Sequence, residues 1–431
     1  MKSFDAIVVG AGPAGATAAL RMAQEGIPVL LLERGDRPGA KNMFGGALVN
    51  CSVLDDFFPD FWNQAPWERH LVRRVLTLIT PDSSTSLAFE TDSFDHPPYN
   101  GYTLFRPVFD KWYAEKAVAA GATLLCGCTV EDLLWQGKAV AGVRVGRSEG
   151  DIRSRVVVAC DGALSFLAEK AGLRKKFSPD QMGLGIKALF RLKEEAINER
   201  FNLVRRQGAS HEFLGCTEGI RGGGFLYTQT DSISVGLVLH LDSLKKNGKT
   251  PYDLFQRFMA LDPVHKLLKG AKLVEYSAHL LPEGGYRMVP RLFTDGMLVT
   301  GDAAALCYTN GLNLEGMNLA IASGFLAAEA VIGALQKGDF SSRQLSEYEE
   351  RLRKSFVLKD MKTFEKAVDW MHTDRLFSAY PRLVASIMEQ IFASDGKPRR
   401  RLGRIGWETI RDTVTLSELV ADLIKGGRSF L

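Results

Sequence analysis

Cysteine is scarce and poorly spaced for metal in this 431-residue chain: there are six, Cys51, Cys126, Cys128, Cys160, Cys216 and Cys307. None falls in a C-x-x-C pair, and Cys126 with Cys128 form a bare C-x-C, so neither a zinc site nor an iron–sulfur quartet is expected. Thiols used in this way fit a reducing compartment. Excess charge is lacking too. The formal net charge is +4, with basic residues dispersed until the C-terminal region, which argues against nucleic acid as a partner. No stretch reads as a membrane span. The most apolar one, Met317 to Leu335, contains Asn318, Ser323, Gly324 and Glu329 and follows a turn signal, so a buried helix is expected. The first strand is expected from about Phe4, leaving no room for a targeting segment before it. The expected location is cytoplasmic, with membrane contact limited to a peripheral one at the inner face.

What is present is a pair of complementary glycine turns far apart in the chain. Phe4 to Val9 is a short apolar run suited to a central parallel strand, and Gly10-Ala11-Gly12-Pro13-Ala14-Gly15 follows it. In such a turn Gly10 permits the bend, Gly12 lets backbone approach a pyrophosphate, and Gly15 lets the helix to Gln24 pack on the strand. A second strand, Pro28 to Leu32, ends at Glu33, where a carboxylate can meet the hydroxyls of a ribose. Arg34 then opens a loop through Asn42, Phe44, Gly45 and Gly46, read either as a close approach to a flat ligand or as an ordinary surface loop. Arg106, ahead of Pro107 at a helix start, either reaches a phosphate or the edge of the cofactor, or is solvated. A strand at Ala122–Leu125 and a β-meander from Thr129 come next, with Val130 at its head among the cofactor candidates. The strand Ser154–Ala159 ends in Cys160-Asp161-Gly162, a turn facing the ligand crevice of such sheets. The last short strand, Gly296–Thr300, leads to Gly301 and Asp302, whose carboxylate can bond a ribityl or ribose hydroxyl. Gly311, Leu312 and Asn313 are expected to open the helix that runs to Leu335 and to aim its dipole at the cofactor.

Residues 177–292 read as a β-rich unit, with strands at Gly185–Leu192, Phe225–Thr230, Ser232–Leu241 and Lys272–Leu280. Gly223 and Gly224, ahead of Phe225 and Tyr227, are read as a backbone approach to a planar ligand in an aromatic pocket, or as a glycine-rich turn before a strand. The expected units are therefore 1–176, 177–292, 293–338 and a helical tail, 339–431. In that tail Phe377, Tyr380, Leu383, Val384, Ile387, Met388, Ile391 and Phe392 recur at helical spacing, with Lys397, Arg399, Arg400, Arg401 and Arg404 close behind. Such a helix packs on its own domain or lies on an anionic membrane or acidic partner.

The G-A-G-P-A-G fingerprint, Cys160-Asp161-Gly162 and Gly301-Asp302-Ala303-Ala304 resemble the FAD superfamily of the glutathione-reductase type. No second G-x-G-x-x-G occurs in the middle, so a dedicated NAD(P)H domain is not expected. Within that superfamily, Glu33-Arg34-Gly35-Asp36 with Lys41-Asn42-Met43, and Gly222 to Thr228 with Ser232 to Leu237, are similar to the FixC-type electron-transfer-flavoprotein:quinone oxidoreductases. The similarity runs over nearly the whole chain. It implies an α/β fold: a Rossmann-like FAD-binding domain, an inserted β-rich substrate domain and a C-terminal helical region. It also implies FAD as cofactor, a two-subunit electron-transferring flavoprotein as partner and quinone as acceptor. Single-chain relatives carry four cluster-binding cysteines in a C-terminal domain, whereas no cysteine follows Cys307 here. A small, separate ferredoxin-like protein is the implied partner. The flavin would carry the chemistry, and no nucleophile–base pair or metal triad stands out. The nearest rival is a geranylgeranyl-reductase-like enzyme acting on isoprenoid double bonds. An aromatic hydroxylase fits less well, since Ala305, Leu306 and Cys307 stand where histidine and a nearby proline are usual. From another class, a non-catalytic prenyl-lipid binder reuses this fold.

Overall fold

The computed structural model describes residues 4–40, 46–49, 51–146, 150–396 and 398–430. Its first sheet has six strands, in the order Phe293–Thr294, Met297–Val299, Val156–Ala159, Ala6–Val9, Val29–Leu32 and Thr123–Leu125. All pair in parallel except the Phe293–Thr294 edge. The central strands Ala6–Val9, Val29–Leu32 and Val156–Ala159 are buried along their whole length, as continuous runs of Ala, Val, Ile and Leu require when helices or strands cover both faces. The helix Pro13–Gln24 crosses the long helix Met317–Lys337 so closely that a Cβ at Gly324 would lie 2.2 Å from the Ala14 carbonyl oxygen. Met317–Lys337 is long and apolar enough to cross a membrane, yet it lies in the core, with Ala327, Ala328, Ala330 and Val331 fully buried. The meander Val130–Gln136, Ala139–Val145 and Asp151–Arg153 packs beside this sheet.

The second sheet has nine strands and its own core, built from Val72, Ile79, Ile186, Phe213, Leu226, Val235, Phe255 and Phe258 among others. Lys272–Pro282, Met182–Arg191, Ser232–His240, Gly222–Thr228 and Gln207–Leu214 run from its edge to its middle. The sheet does not stop at residue 177. Gln207–Leu214 pairs in parallel with Trp67–Ile79, which in turn carries Gly101–Leu104 and Ser84–Glu90, and Gly46–Val49 closes the far edge. The β-rich unit therefore takes four strands from the part of the chain expected to belong wholly to the first domain.

Arg69 ties the two segments together. Its guanidinium, almost wholly buried, donates to the carbonyls of Gln229 (2.8 Å) and Gln207 (2.7 Å) and to Asn198 Oδ1 (2.8 Å). The tail, from Ser342, is helical. Its last four α-helices are Ala367–Met371, Ala379–Phe392, Leu402–Thr413 and Leu416–Phe430. The apolar face anticipated there divides: Phe377 and Leu383 are buried, whereas Met388 and Phe392 are exposed.

Candidate functional site

Each parallel strand of this sheet releases its chain at the C-terminal end, so five distant loops meet along one edge. Gly10 follows Val9 with φ +103°, and a Cβ there would strike the Cys160 carbonyl oxygen at 2.3 Å. A Cβ on Gly15 would come within 1.9 Å of the Gly10 carbonyl oxygen. Gly12 differs from both. A Cβ there would meet only Arg106 Nη2, at 3.8 Å, so the protein's own packing does not require glycine. The open side of Gly12, at the start of the Pro13–Gln24 helix beside Ala14, is where an anion could approach the helix N-terminus. Gly162 is likewise open, with nothing within 4 Å of a would-be Cβ.

Glu33 is buried and anchored. The amide of Ala11 donates to its Oε2 (3.0 Å) and that of Gly35 to its Oε1 (2.7 Å). An ionised carboxylate has about four acceptor positions, so both oxygens keep capacity for ribose hydroxyls. The amides of Gly127 and Cys128 donate to the carbonyls of Gly35 and Glu33, which brings the start of the meander and Val130 beside this loop. Arg106 makes a bidentate pair through Nε and Nη2 with the fully buried Asp110 at 2.8 Å, and the same Nη2 is the atom that a Cβ on Gly12 would meet. Burial raises Asp161, and its Oδ1 is buried without a hydrogen-bond partner among the described residues. Burial also raises Asp302, against the opposing charges of Arg106 and His279. Asn42, Gly45 and Phe44 lie outside the described residues, and Gly46 opens the Gly46–Val49 strand.

Gly311, Leu312 and Asn313 do not open the long helix. They form the tip of a small hairpin, Tyr308–Thr309 against Leu314–Glu315, with Leu312 64% exposed. Their amides are already engaged: Gly311 donates to Thr309 Oγ1, and Leu312 and Asn313 donate to Asn310 Oδ1. The helix begins at Met317 after Gly316, where a Cβ would stand 3.9 Å from Asp302 Oδ1. The helix end beside Asp302 is thus made by Gly316, Met317 and Asn318. The sequence signal for it is a glycine directly ahead of the Met-Asn-Leu-Ala run.

The nine-stranded sheet turns one face toward this edge. Register places His279, Gly185, Val238 and Gly223 in one row, and Lys187, Gly236, Phe225 and Glu212 in the next. His279 feels the charges of Asp302, Arg106 and Arg34, so this face lies against the cofactor loops. Burial, with Arg106 adding to it, lowers Lys187 to about 7. Phe225 and Tyr227 stack at 5.3 Å, and burial raises Tyr227.

A cavity of about 170 Å³ opens here, lined by Gly223, Gly224, Phe225, Tyr227, Arg74 and Glu212, with the 311–315 hairpin and Met371 across from them. The protein's own packing also demands these glycines. A Cβ at Gly223 would strike the Phe213 carbonyl oxygen (2.8 Å), and one at Gly224 the ring of Phe258 (2.5 Å).

Three comparisons bear on this geometry. Residues 5–183 match the family described as FAD dependent oxidoreductase, 182–281 the ubiquinone-binding part of ETF-QO, and 367–431 the ETF-QO/FixC family C-terminal domain. The chain is 41% identical, over 98% of both chains, to the probable electron transfer flavoprotein-quinone oxidoreductase YdiS of Escherichia coli. It is 38% identical to protein FixC of Bradyrhizobium diazoefficiens, over 99% of both. The chain belongs to the FixC/ETF-QO family. This FixC-family protein is an FAD-dependent oxidoreductase with a ubiquinone-binding domain. A geranylgeranyl bacteriochlorophyll reductase-like protein from Thermoplasma acidophilum shares its fold, with TM-score 0.73 at 19% identity over 98% of this chain and 100% of that one. The myxobacterial halogenase CndH shares it with TM-score 0.66 at 19% identity, over 95% and 97%. The open approach at Gly12, the clearance at Gly162 and the orphaned Asp161 oxygen suit a dinucleotide lying along the loop edge.

Proposed function

We propose that this FixC-family protein takes electrons from an electron-transferring flavoprotein and delivers them to a quinone in the Phe225–Tyr227 cavity, with a separate ferredoxin-like protein as a further partner. The observation that carries the reading is the position of that cavity. Its sheet face continues directly into the row of His279, beside Asp302 and Arg106. When bound, FAD supplies an acceptor and donor of one or two electrons.

The chain's own residues divide the work of holding it. Gly12, Ala14 and Gly15 would present amides to the pyrophosphate, with Pro13 setting the first turn of the helix, and Arg106 would neutralise it. Glu33 would hold the adenosine ribose, with Arg34 and Val130 flanking the adenosine end, and Asp161 with Gly162 would close the middle of the crevice. Gly301 and Asp302 would take the ribityl chain. The amides of Gly316 to Asn318 would hold negative charge near the ring, the role first expected of Gly311 to Asn313. The stacked Phe225 and Tyr227 would exclude water around the quinone head. The absence of any cysteine after Cys307 supports a cluster held on another chain. Exposed Phe392, Leu402 and Trp407 close in sequence to Arg399–Arg404, with Leu423 and Ile424 exposed on the last helix, support a peripheral, inner-face membrane contact for an otherwise cytoplasmic protein.

The test is anaerobic mixing of reduced electron-transferring flavoprotein with the FAD-loaded protein and a soluble quinone. Quinol formation that requires this protein is the expected outcome. A flavin that stays oxidised, with and without a ferredoxin-like protein, overturns the reading, and reduction of a prenyl-lipid alkene instead would place the chemistry with the reductases.

A further inference from the structure

A second set of polar side chains reaches the cavity from its far end. Glu283, just past the Lys272–Pro282 strand, has its carboxylate where a Cβ on Gly183 would stand, 2.4 Å away, and is 9% exposed. Its Oε2 lies 3.2 Å from Nε2 of His240, the last residue of the Ser232–His240 strand, in an alignment short of a hydrogen bond. The His240 ring meets that of His372 edge-on, with centroids 5.3 Å apart. Nδ1 of His240 and Nε2 of His372 are both buried without a hydrogen-bond partner among the described residues. Glu283 and His240 line the cavity, whereas His372 lines a separate surface groove with Lys366, Asp369, Lys425 and Ser429. The three side chains therefore form a row from the groove to the cavity.

A buried acid and two buried imidazoles are costly to keep unless hydrogen-bonded or used, because each loses its hydration. They do not form a buried ion pair. Burial raises Glu283 to about 8 and lowers His240 and His372 to about 4, so at neutral pH all three are uncharged. Arg221 disfavours charge on both rings, Asp242 favours it, and these two residues pair with each other. Asp374 lies 3.7 Å from Arg221, and Lys425 and Asp369 flank His372. Cys307 and Glu315 face Glu283. Burial raises Glu283, with no cation offsetting it among the described residues.

We propose that Glu283, His240 and His372 carry protons from the groove to a quinone in the cavity, Glu283 being the catalytic acid that touches it. The proposal rests on the quinone reading above. Quinone reduction needs two electrons, which reduced FAD supplies, and two protons, one for each oxygen. The O–H bond of Glu283 breaks as the first quinone O–H bond forms. The carboxylate left behind draws a proton through the His240 ring, which releases it at Nε2 and accepts another at Nδ1. His372 passes that proton on through one water, taking its own from the groove. The other quinone oxygen takes the proton that the singly protonated reduced flavin gives up as it is oxidised, and the products are quinol and oxidised FAD.

The experiment starts from FAD-loaded protein, photoreduced without oxygen. It is mixed in parallel with a short-chain soluble quinone and with ferrocenium, which accepts an electron but no proton. Glu283→Gln keeps the shape at Gly183, and the ratio of quinone to ferrocenium rates is expected to fall by about 100-fold. Glu283→Asp should recover part of that ratio. His372→Ala should lower it and be rescued by added imidazole. Independently of turnover, the infrared carbonyl band of a protonated carboxylic acid at neutral pH should vanish in Glu283→Gln. An unchanged ratio in Glu283→Gln, or equal slowing with both acceptors, overturns the relay while leaving the quinone reading intact. Wild-type protein that reduces ferrocenium but never quinone overturns the quinone reading and the relay together.

Discussion

At the scale of single residues, Gly12 and Gly15 are the same amino acid kept for opposite reasons. A side chain at 15 would collide with the Gly10 carbonyl inside the protein, whereas one at 12 would meet only the flexible end of Arg106. Gly12→Val should therefore fold with a melting temperature close to wild type in the FAD-free form while losing FAD affinity by at least about tenfold, or roughly 1.4 kcal/mol. Gly15→Ala should destabilise the FAD-free protein itself. Thermal melts of the stripped proteins and flavin titration separate the two cases. A Gly12→Val protein with undiminished FAD affinity would show that the pyrophosphate lies elsewhere. The tight turn at Gly10 and the close packing at Gly15 were readable from spacing, because the strand–turn–helix geometry is local. The role of Glu283, His240 and His372 was not, since they come from a strand end, another strand and the helical tail. Only tertiary structure brings them into a row.

Elements tell a similar story with a different cause. The parallel strands were legible because burial on both faces demands unbroken apolar runs, and Ala6–Val9 and Val156–Ala159 have them. Trp67–Ile79, the longest strand, was not, because Glu68, Arg69, His70, Arg73 and Arg74 break its apolar pattern. Each basic residue is matched by a distant group: His70 by Asp95, Arg73 by Glu90, Arg74 by Asn313, and Arg69 by a cluster of carbonyls. The hairpin at 308–315 was misread for the converse reason. Its Gly and Asn residues are those of a turn as much as of a helix start, and the helix waits until Met317. Arg69→Met tests the strand's anchor, since methionine keeps much of the volume and leaves the carbonyls of Gln207 and Gln229 without their donor. A loss of about 3–5 kcal/mol in denaturant unfolding is expected. A loss under about 1 kcal/mol would mean that the sheet carries the strand without it.

For the whole molecule, the cavity belongs to no single unit. The nine-stranded sheet gives one wall, the 311–315 hairpin another, and the tail contributes Val368 and Met371. The division at residue 177 expected from the chain alone missed this, because strands drawn from before residue 105 complete the sheet that bears the pocket. One contact reaches further than the wall itself. Phe430, at the end of the last helix, packs over Gly311, its ring 2.7 Å from where a Cβ would be, and also meets Trp370. By thermodynamic reciprocity, a ligand that steadies the hairpin from inside and a surface or protein that steadies the last helix from outside must change each other's affinity by the same factor. Hydrogen exchange in Leu416–Phe430 should slow when quinone fills the cavity, and identical exchange at saturation would show that hairpin and helix are uncoupled. Where such coupling holds and the tail docks as proposed, docking would be a form of substrate sensing: the protein would grip its landing site most firmly when it has an acceptor to reduce.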